Sequence, residues 1–291
     1  MRLFAMLAAA LLTTGCVDLV GMDMGKYVER EEKHFAIAGR PDVSLSTFDG
    51  AIEIRSWDKN EVQVVIEKRG YSRKSTDAIQ ISADASGDHV TISATIPKHS
   101  GFHFSEGRSA KLIVSLPASA DVKASSGDGS IDVEHVSGRL EFGTGDGSIR
   151  GRSLEGEIRA HTGDGSIKFD EVNGTLNVDT GDGSVTLGGK LTSVHARSGD
   201  GSLHVLAEPG SKASGDWDIA AGDGSVTVSL PDDFAAELDA HTGDGSIHLQ
   251  NVTLSNATGN MRRHDVRGRL GAGGSTVRVR TGDGSIVVKR S

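Results

Sequence analysis

From residue 127 onward, apolar and polar positions alternate with a period of two, and one tetrapeptide punctuates the alternation. Gly-Asp-Gly-Ser occurs eight times, starting at Gly127, Gly145, Gly163, Gly181, Gly199, Gly222, Gly243 and Gly282. The first four steps are 18 residues each, and the later ones are 23, 21 and 39. Four residues after each first glycine the column reads Ile131, Ile149, Ile167, Val185, Leu203, Val226, Ile247 and Ile286. Six residues after it the column reads Val133, Gly151, Phe169, Leu187, Val205, Val228, Leu249 and Val288. Residues between these columns are mostly polar, so each copy predicts a strand with one buried face. In the 18-residue copies a second strand follows, marked by Leu140/Phe142, Ile158/Ala160, Leu176/Val178 and Val194/Ala196. Glycine introduces it at Gly138, Gly156 and Gly174. Helical spacing is absent.

One such coil buries only about five apolar side chains, too few to offset the ordering of its backbone. Stacking coils at ~4.8 Å pairs every strand above and below and shares one core. The expected fold is therefore all-β, a single-stacked β-solenoid with two short strands per coil of about 18 residues over residues 127–291. Residues 34–126 lack the tetrapeptide but read as strands at Val43–Thr47, Ala51–Trp57, Glu61–Lys68, Ala78–Ala83, His89–Ile96 and Lys111–Leu116. Phe48-Asp49-Gly50-Ala51-Ile52 looks like a decayed repeat turn, and the region is expected to cap the N-terminal end of the stack.

The N-terminus adds an address. One arginine precedes ten apolar residues, Leu3 to Leu12, which are too few to span a bilayer and suit the core of a signal peptide. Leu12-Thr13-Thr14-Gly15-Cys16 follows and resembles a bacterial lipobox, with residues 1–15 removed and Cys16 lipidated. Val17 lacks the aspartate associated with inner-membrane retention, which favours the outer membrane in a Gram-negative source. Residues 16–33 read as a charged tether without a clear period.

Composition then falls into place. Of 39 glycines, 16 lie in the eight tetrapeptides, so the glycine excess is the repeat itself and not disorder. A formal charge of -9 argues against a general nucleic-acid partner, and the single cysteine excludes an internal disulfide or a multi-thiolate metal site. No cofactor is expected.

Candidate chemistry is repetitive. Asp128, Asp146, Asp164, Asp182, Asp200, Asp223, Asp244 and Asp283 should form one column. Their expected role is to form the turns, each folding its side chain onto nearby backbone N–H groups while the flanking glycines supply positive φ. A weak cation ladder is the functional alternative, although the calcium-binding nonapeptide period is missing. The turn serines and the preceding Thr144, Thr162, Thr180, Ser198, Thr242 and Thr281 make hydroxyl columns. His161, His195 and His241 fall on coils that are not neighbours, and His99 with His103 is short of ligands. A carbohydrate-active enzyme is the rival class, but its unequal carboxylate pair is not evident among carboxylates that recur coil by coil. No catalytic residue and no metal ligand set is assigned.

Charge separates the two ends. Residues 127–259 hold 8 Lys+Arg against 22 Asp+Glu, whereas residues 260–291 hold 8 against 2. The 39-residue step suggests an inserted loop over Asn251–Gly273, with Arg262, Arg263, Arg267 and Arg269 as a contact for an anionic envelope component or protein. The last coil ends almost at Ser291, so an open edge and weak self-association through that coil are expected.

The TGDGSI-type turns at Thr144–Ile149, Thr162–Ile167, Thr242–Ile247 and Thr281–Ile286, with Asp49-Gly50-Ala51-Ile52, Ser56-Trp57-Asp58 and Leu116-Pro117, carry a resemblance over residues 34–291. The chain resembles the bacterial putative-adhesin family of unknown function, whose members are β-repeat envelope proteins. The resemblance implies a non-catalytic envelope role as an adhesin-like or scaffolding module, exported and anchored to the membrane by its N-terminal lipid.

Overall fold

In a computed structural model of the chain, the described residues are 19–23, 26–97, 107–260 and 264–291. Residues 1–18, with Cys16 and the signal segment, lie outside them, as do His99, His103, Arg262 and Arg263. The first part of the chain supplies β1 (Leu19–Asp23), β2 (Lys26–Ala36), β3 (Asp42–Thr47), β4 (Ile52–Trp57), β5 (Glu61–Gly70), the helix α1 (Arg73–Asp77), β6 (Gln80–Ser86), β7 (His89–Thr95) and β8 (Ser109–Pro117). The middle supplies β9 (Asp121–Ser126), β10 (Ile131–Glu134), β11 (Ser137–Thr144), β12 (Ile149–Arg152), β13 (Glu155–Thr162), β14 (Ile167–Thr180), β15 (Val185–Ser198) and β16 (Leu203–Ala207). The rest is β17 (Trp217–Ala221), β18 (Val226–Leu230), β19 (Ala236–Thr242), β20 (Ile247–Gln250), β21 (Ser255–Asn260), β22 (Asp265–Leu270), β23 (Thr276–Thr281) and β24 (Ile286–Arg290). The fold is all-β, and the strands belong to one hydrogen-bonded sheet.

Each Gly-Asp-Gly-Ser turn joins a strand before it to a strand after it. Strands before the turn pair with one another in parallel, and so do strands after it. In the equal copies the register is the repeat length: Ile131 faces Ile149, which faces Ile167, and Leu140 faces Ile158, which faces Leu176. Period-two alternation thus becomes continuous buried columns between the two ladders. Where the column breaks at Gly151, a Cβ would lie 2.7 Å from the Phe169 ring. The larger side chain one tier away fills the space, and Phe142 approaches the same ring at 6.4 Å between centroids. The opposite corner is also periodic, because His135, Ser153 and Glu171 hold φ of 59°, 52° and 57°. Buried Val136, Leu154 and Val172 follow them and close the core on that side.

The predicted strands of residues 34–126 are present with small shifts of boundary, and the decayed turn stacks as a true one. Ile52 faces Ile131 and Thr47 faces Ser126. The tether reading of residues 16–33 differs from the structure, which places β1 and β2 there. β2 pairs antiparallel with β5 from Tyr27–Gly70 to Ala36–Glu61. Its period is hidden because charged residues occupy both faces and are matched across the strands, as in Lys68–Glu29 at 3.3 Å and Arg30–Glu67 at 3.8 Å.

Stacking order departs from chain order at both ends. The tier of β3 and β4 lies between that of β7 and β8 and that of β9 and β10. The last tier of the chain, β23 and β24, lies between β17/β18 and β19/β20. The open edge expected at the C-terminal coil is therefore absent, since that coil is paired on both sides. The inserted segment over Asn251–Gly273 is not a loop either. It contains the hairpin β21–β22, and β22 covers β19 from outside in antiparallel pairing.

The facing charges agree with this order. Along one exposed column the register runs Lys123, Glu141, Arg159, Asn177, His195, Asp218, Arg278, Asp239, Arg267. Stacking in chain order would set Asp218 against Asp239, and insertion of the basic last tier puts Arg278 between them. Replacing Arg278 with Glu creates three facing carboxylates and is expected to cost about 1–2 kcal/mol, with Arg278→Lys near neutral. Urea unfolding of the two variants measures the difference.

Candidate functional site

The repeated turn is the most chemically distinctive surface, so each of its side chains matters. A Thr or Ser ends the strand before the turn, and its side chain points inward. Thr162 is fully buried and donates its hydroxyl to the Gly147 carbonyl one tier away at 2.9 Å, while accepting the Gly165 N–H at 3.3 Å. Thr180 and Ser198 repeat both contacts, at 2.9 Å to Gly165 O and Gly183 O respectively. Ser126, Thr144, Thr281 and Thr242 donate to the equivalent carbonyls of Gly50, Gly129, Gly224 and Gly284. A buried hydroxyl ladder therefore joins turn to turn, and Ser126, Thr162, Thr180 and Ser198 also fix their own turns by accepting the second glycine's N–H.

The aspartates form the expected column, but their side chains do not make the turn's bonds. All eight are exposed, and the turn bonds fall to the hydroxyls instead. The glycines also act differently, since none of the sixteen has φ in the left-handed region. They are needed because the backbones nearly touch. A Cβ on the second glycine of any turn would sit 2.0–2.3 Å from a backbone carbonyl oxygen of the next tier. The aspartates are left at the surface by a turn that has room for no side chain on either flank.

Among the described residues, no three His, Cys, Asp or Glu side chains come together in a way that could hold a metal ion. The exposed faces are instead occupied by ion pairs between tiers or along one strand. Examples are Lys123–Glu141 at 2.6 Å, Arg197–Asp218 at 3.1 Å, His161–Asp179 at 3.4 Å and Lys168–Asp170 at 3.2 Å. Arg267 pairs with Asp239 at 3.1 Å and Arg269 with Glu237 at 2.8 Å, so these two members of the predicted anion-contact loop hold the hairpin to β19. The strongest perturbation is at Glu171. Hydrogen bonds from Arg152 and then Ser153 push its carboxyl down to about 2. It is an exposed corner residue, and its partners stabilise the charged form, which suits an ion pair and not a proton donor.

The surface depressions are open to solvent and carry charged rims. One of ≈ 180 Å³ is lined by Asp132, Glu134, Arg150, Arg152, Lys168 and Asp170 among others. Their charges are of mixed sign, without an enclosed apolar cavity of the kind that binds small molecules. Sequence reasoning named the hydroxyl column but gave the turn to the aspartates. The missed signal was that Thr or Ser recurs in seven of the eight copies just before the turn, at a position whose neighbours on the strand are buried.

The architecture is that of an all-β repeat protein with a repetitive polar surface. The chain belongs to the Toastrack DUF4097 family, whose model matches residues 42–289. Similar solved structures include a protein described as a "putative adhesin" from Bacteroides fragilis, 11% identical, with a TM-score of 0.43, covering 90% of this chain and 97% of that one. A "putative lipid binding protein" from Parabacteroides distasonis is 14% identical with a TM-score of 0.38, covering 90% and 96%. A "putative cell adhesion protein" from Clostridium sporogenes is 12% identical with a TM-score of 0.29, covering 90% and 100%. No curated protein matches the chain.

Two expectations follow from the turn. Gly165→Ala should lose about 1–3 kcal/mol by overpacking against Gly147, whereas Asp164→Ala should stay within about 0.5 kcal/mol in the same thermal or denaturant assay. Ala221 stands where the other copies have a hydroxyl. Ala221→Ser restores that rung and should gain about 0.5–1.5 kcal/mol, read as a raised Tm.

Proposed function

We propose that this chain is a non-catalytic envelope lipoprotein, a β-solenoid that serves as an adhesin-like or scaffolding module held to the membrane through Cys16. The carrying observation is the repetition of its surface. Each of the eight Gly-Asp-Gly-Ser tiers presents the same exposed aspartate, over a core that continues from Phe35 to Val288. A surface of this sort recognises extended or repetitive partners over a large area and offers no singular reaction centre. Parallel pairing of successive copies at the repeat length supports the solenoid reading. The like exposure of the eight turn carboxylates weighs against a glycosidase built on them, which needs two carboxyl groups of unequal acidity across a cleft.

The N-terminal signal supports export and anchoring. No helix among the described residues is long and apolar enough to cross a membrane. Lipid attached at Cys16 would place the β1 edge only three residues from the bilayer surface, about 10 Å of extended chain. The tiers around Gly282 and Gly243 are then at the far end of the stack, facing whatever the module holds.

In a bacterial host supplied with labelled palmitate, the chain is expected to take up label and sediment with membranes. Cys16→Ser should lose the label and move to the soluble envelope fraction. A Cys16→Ser protein that still sediments with membranes would overturn the anchoring. Capture from crude envelope by the unlipidated protein then identifies the partner, and turnover of envelope polysaccharide by the same preparation would overturn the non-catalytic reading.

A further inference from the structure

The two ends of the stack are closed unequally. Each end presents two outer strands, one from each ladder. At the N-terminal end β7 is covered by β6 and β8 by β5, both antiparallel. At the other end β19 is covered by antiparallel β22. The fourth outer strand, β20, pairs with β24 on its inner side and, among the described residues, with no strand on its outer side. Its sequence, Ile247-His248-Leu249-Gln250, contains no Lys, Glu, Asp or Pro of the kind that blunts exposed edges. Leu249, Val252 and Leu254 at the same end are only partly buried against the core.

The phase of the free edge is fixed. Ile286 N–H donates to Ser246 O at 2.9 Å, and Ile247 faces Ile286 in register. In a parallel ladder the backbone groups of His248 then face β24, which points those of Ile247 and Leu249 outward. This short edge is self-complementary. Placed antiparallel to itself about a two-fold axis at His248, Ile247 meets the partner's Leu249 and Leu249 meets the partner's Ile247, as two hydrogen-bonded pairs. His248 then lies opposite the partner's His248. No fixed like charges oppose each other, and the added strand is antiparallel like those on the other three ends.

We infer that β20 is a self-association edge, through which two copies of this chain join antiparallel into one continuous sheet. The contact differs from the one expected at the C-terminal coil, which is enclosed. It does not depend on the anchoring or on the identity of any envelope partner. A four-residue edge makes a weak dimer, whose two N-terminal ends lie at opposite ends of the joined stack.

The test uses the full chain carrying Cys16→Ser, which leaves no cysteine. Sedimentation velocity should show a dimer whose fraction rises with concentration, and His248→Glu should abolish that rise by opposing two carboxylates. Adding His248→Cys should give a disulfide-linked dimer under mild oxidation, because residues facing one another in such a pair lie close enough to bridge. His204→Cys, on the same exposed column but inside the stack, should remain monomeric. A parent protein that stays monomeric at every concentration overturns the proposal, whatever the variants do. Equal cross-linking of the His248→Cys and His204→Cys proteins also overturns it, since that is random collision.

Discussion

At Gly165 an added methyl would stand 2.0 Å from the carbonyl oxygen of Gly147, and the same near-contact recurs at every turn of the stack. This approach of backbone to backbone is the constraint from which the other features follow. It lets successive turns bond through their own main chains, as in Gly163 N–H to Gly145 O at 2.6 Å. It fixes the rise between tiers at strand spacing, so the strands on both sides of each turn pair in parallel without slipping. It also creates a buried polar seam. The carbonyls of that seam are out of water, and the Thr/Ser hydroxyls serve as their donors. Glycine in the turn and hydroxyl before it are thus two halves of one device.

A stack of parallel tiers has no natural end, and this chain ends both sides in the same way. At each, the tier nearest the chain terminus is moved one place inward, and a tier from further along the interior of the sequence becomes the outermost. Antiparallel strands then cover most of what remains. The arrangement links the two ends of the stack to charge as well as to pairing. The basic C-terminal stretch looked like a free binding surface by composition. In the fold, its arginines on β22 and β23 face the acidic β17 and β19. Arg267, Arg269 and Arg278 of that stretch face acidic residues within the fold, and this facing favours one stacking order over its chain-order alternative.

The regular part of this fold was legible because period and register coincide. When Ile131, Ile149 and Ile167 recur at one interval, parallel pairing at that interval is the arrangement that buries them all together. Several things were hidden for identifiable reasons. β2 carries Glu29 and Arg30, whose charged partners Lys68 and Glu67 lie more than thirty residues away on β5, and the run of charge through Lys33 hides the strand's local pattern. The place of β23 between β17 and β19 is a comparison of two stackings, each compatible with the apolar pattern, and only the facing charges separate them. The turn aspartate was misread because its composition favours a local side-chain bond. Its neighbour Thr162 wins because a buried hydroxyl can bridge two tiers at once, whereas an exposed carboxylate bonds water equally well.

That outcome bears on what the surface can do. A residue needed by the turn would be repeated in every tier whether or not anything bound it. The aspartates make no bond that the turn needs, yet stand in all eight copies. Folding requires the glycines around them and the hydroxyl before them, and nothing in the packing requires a carboxylate between two glycines. Their column keeps one edge of the stack acidic and hydrated, which opposes lateral adhesion of that edge to a second stack. The uncharged strand Ile247–Gln250 lacks this protection, so the same physical rule that keeps the long edge apart directs self-contact to the short one at the far end.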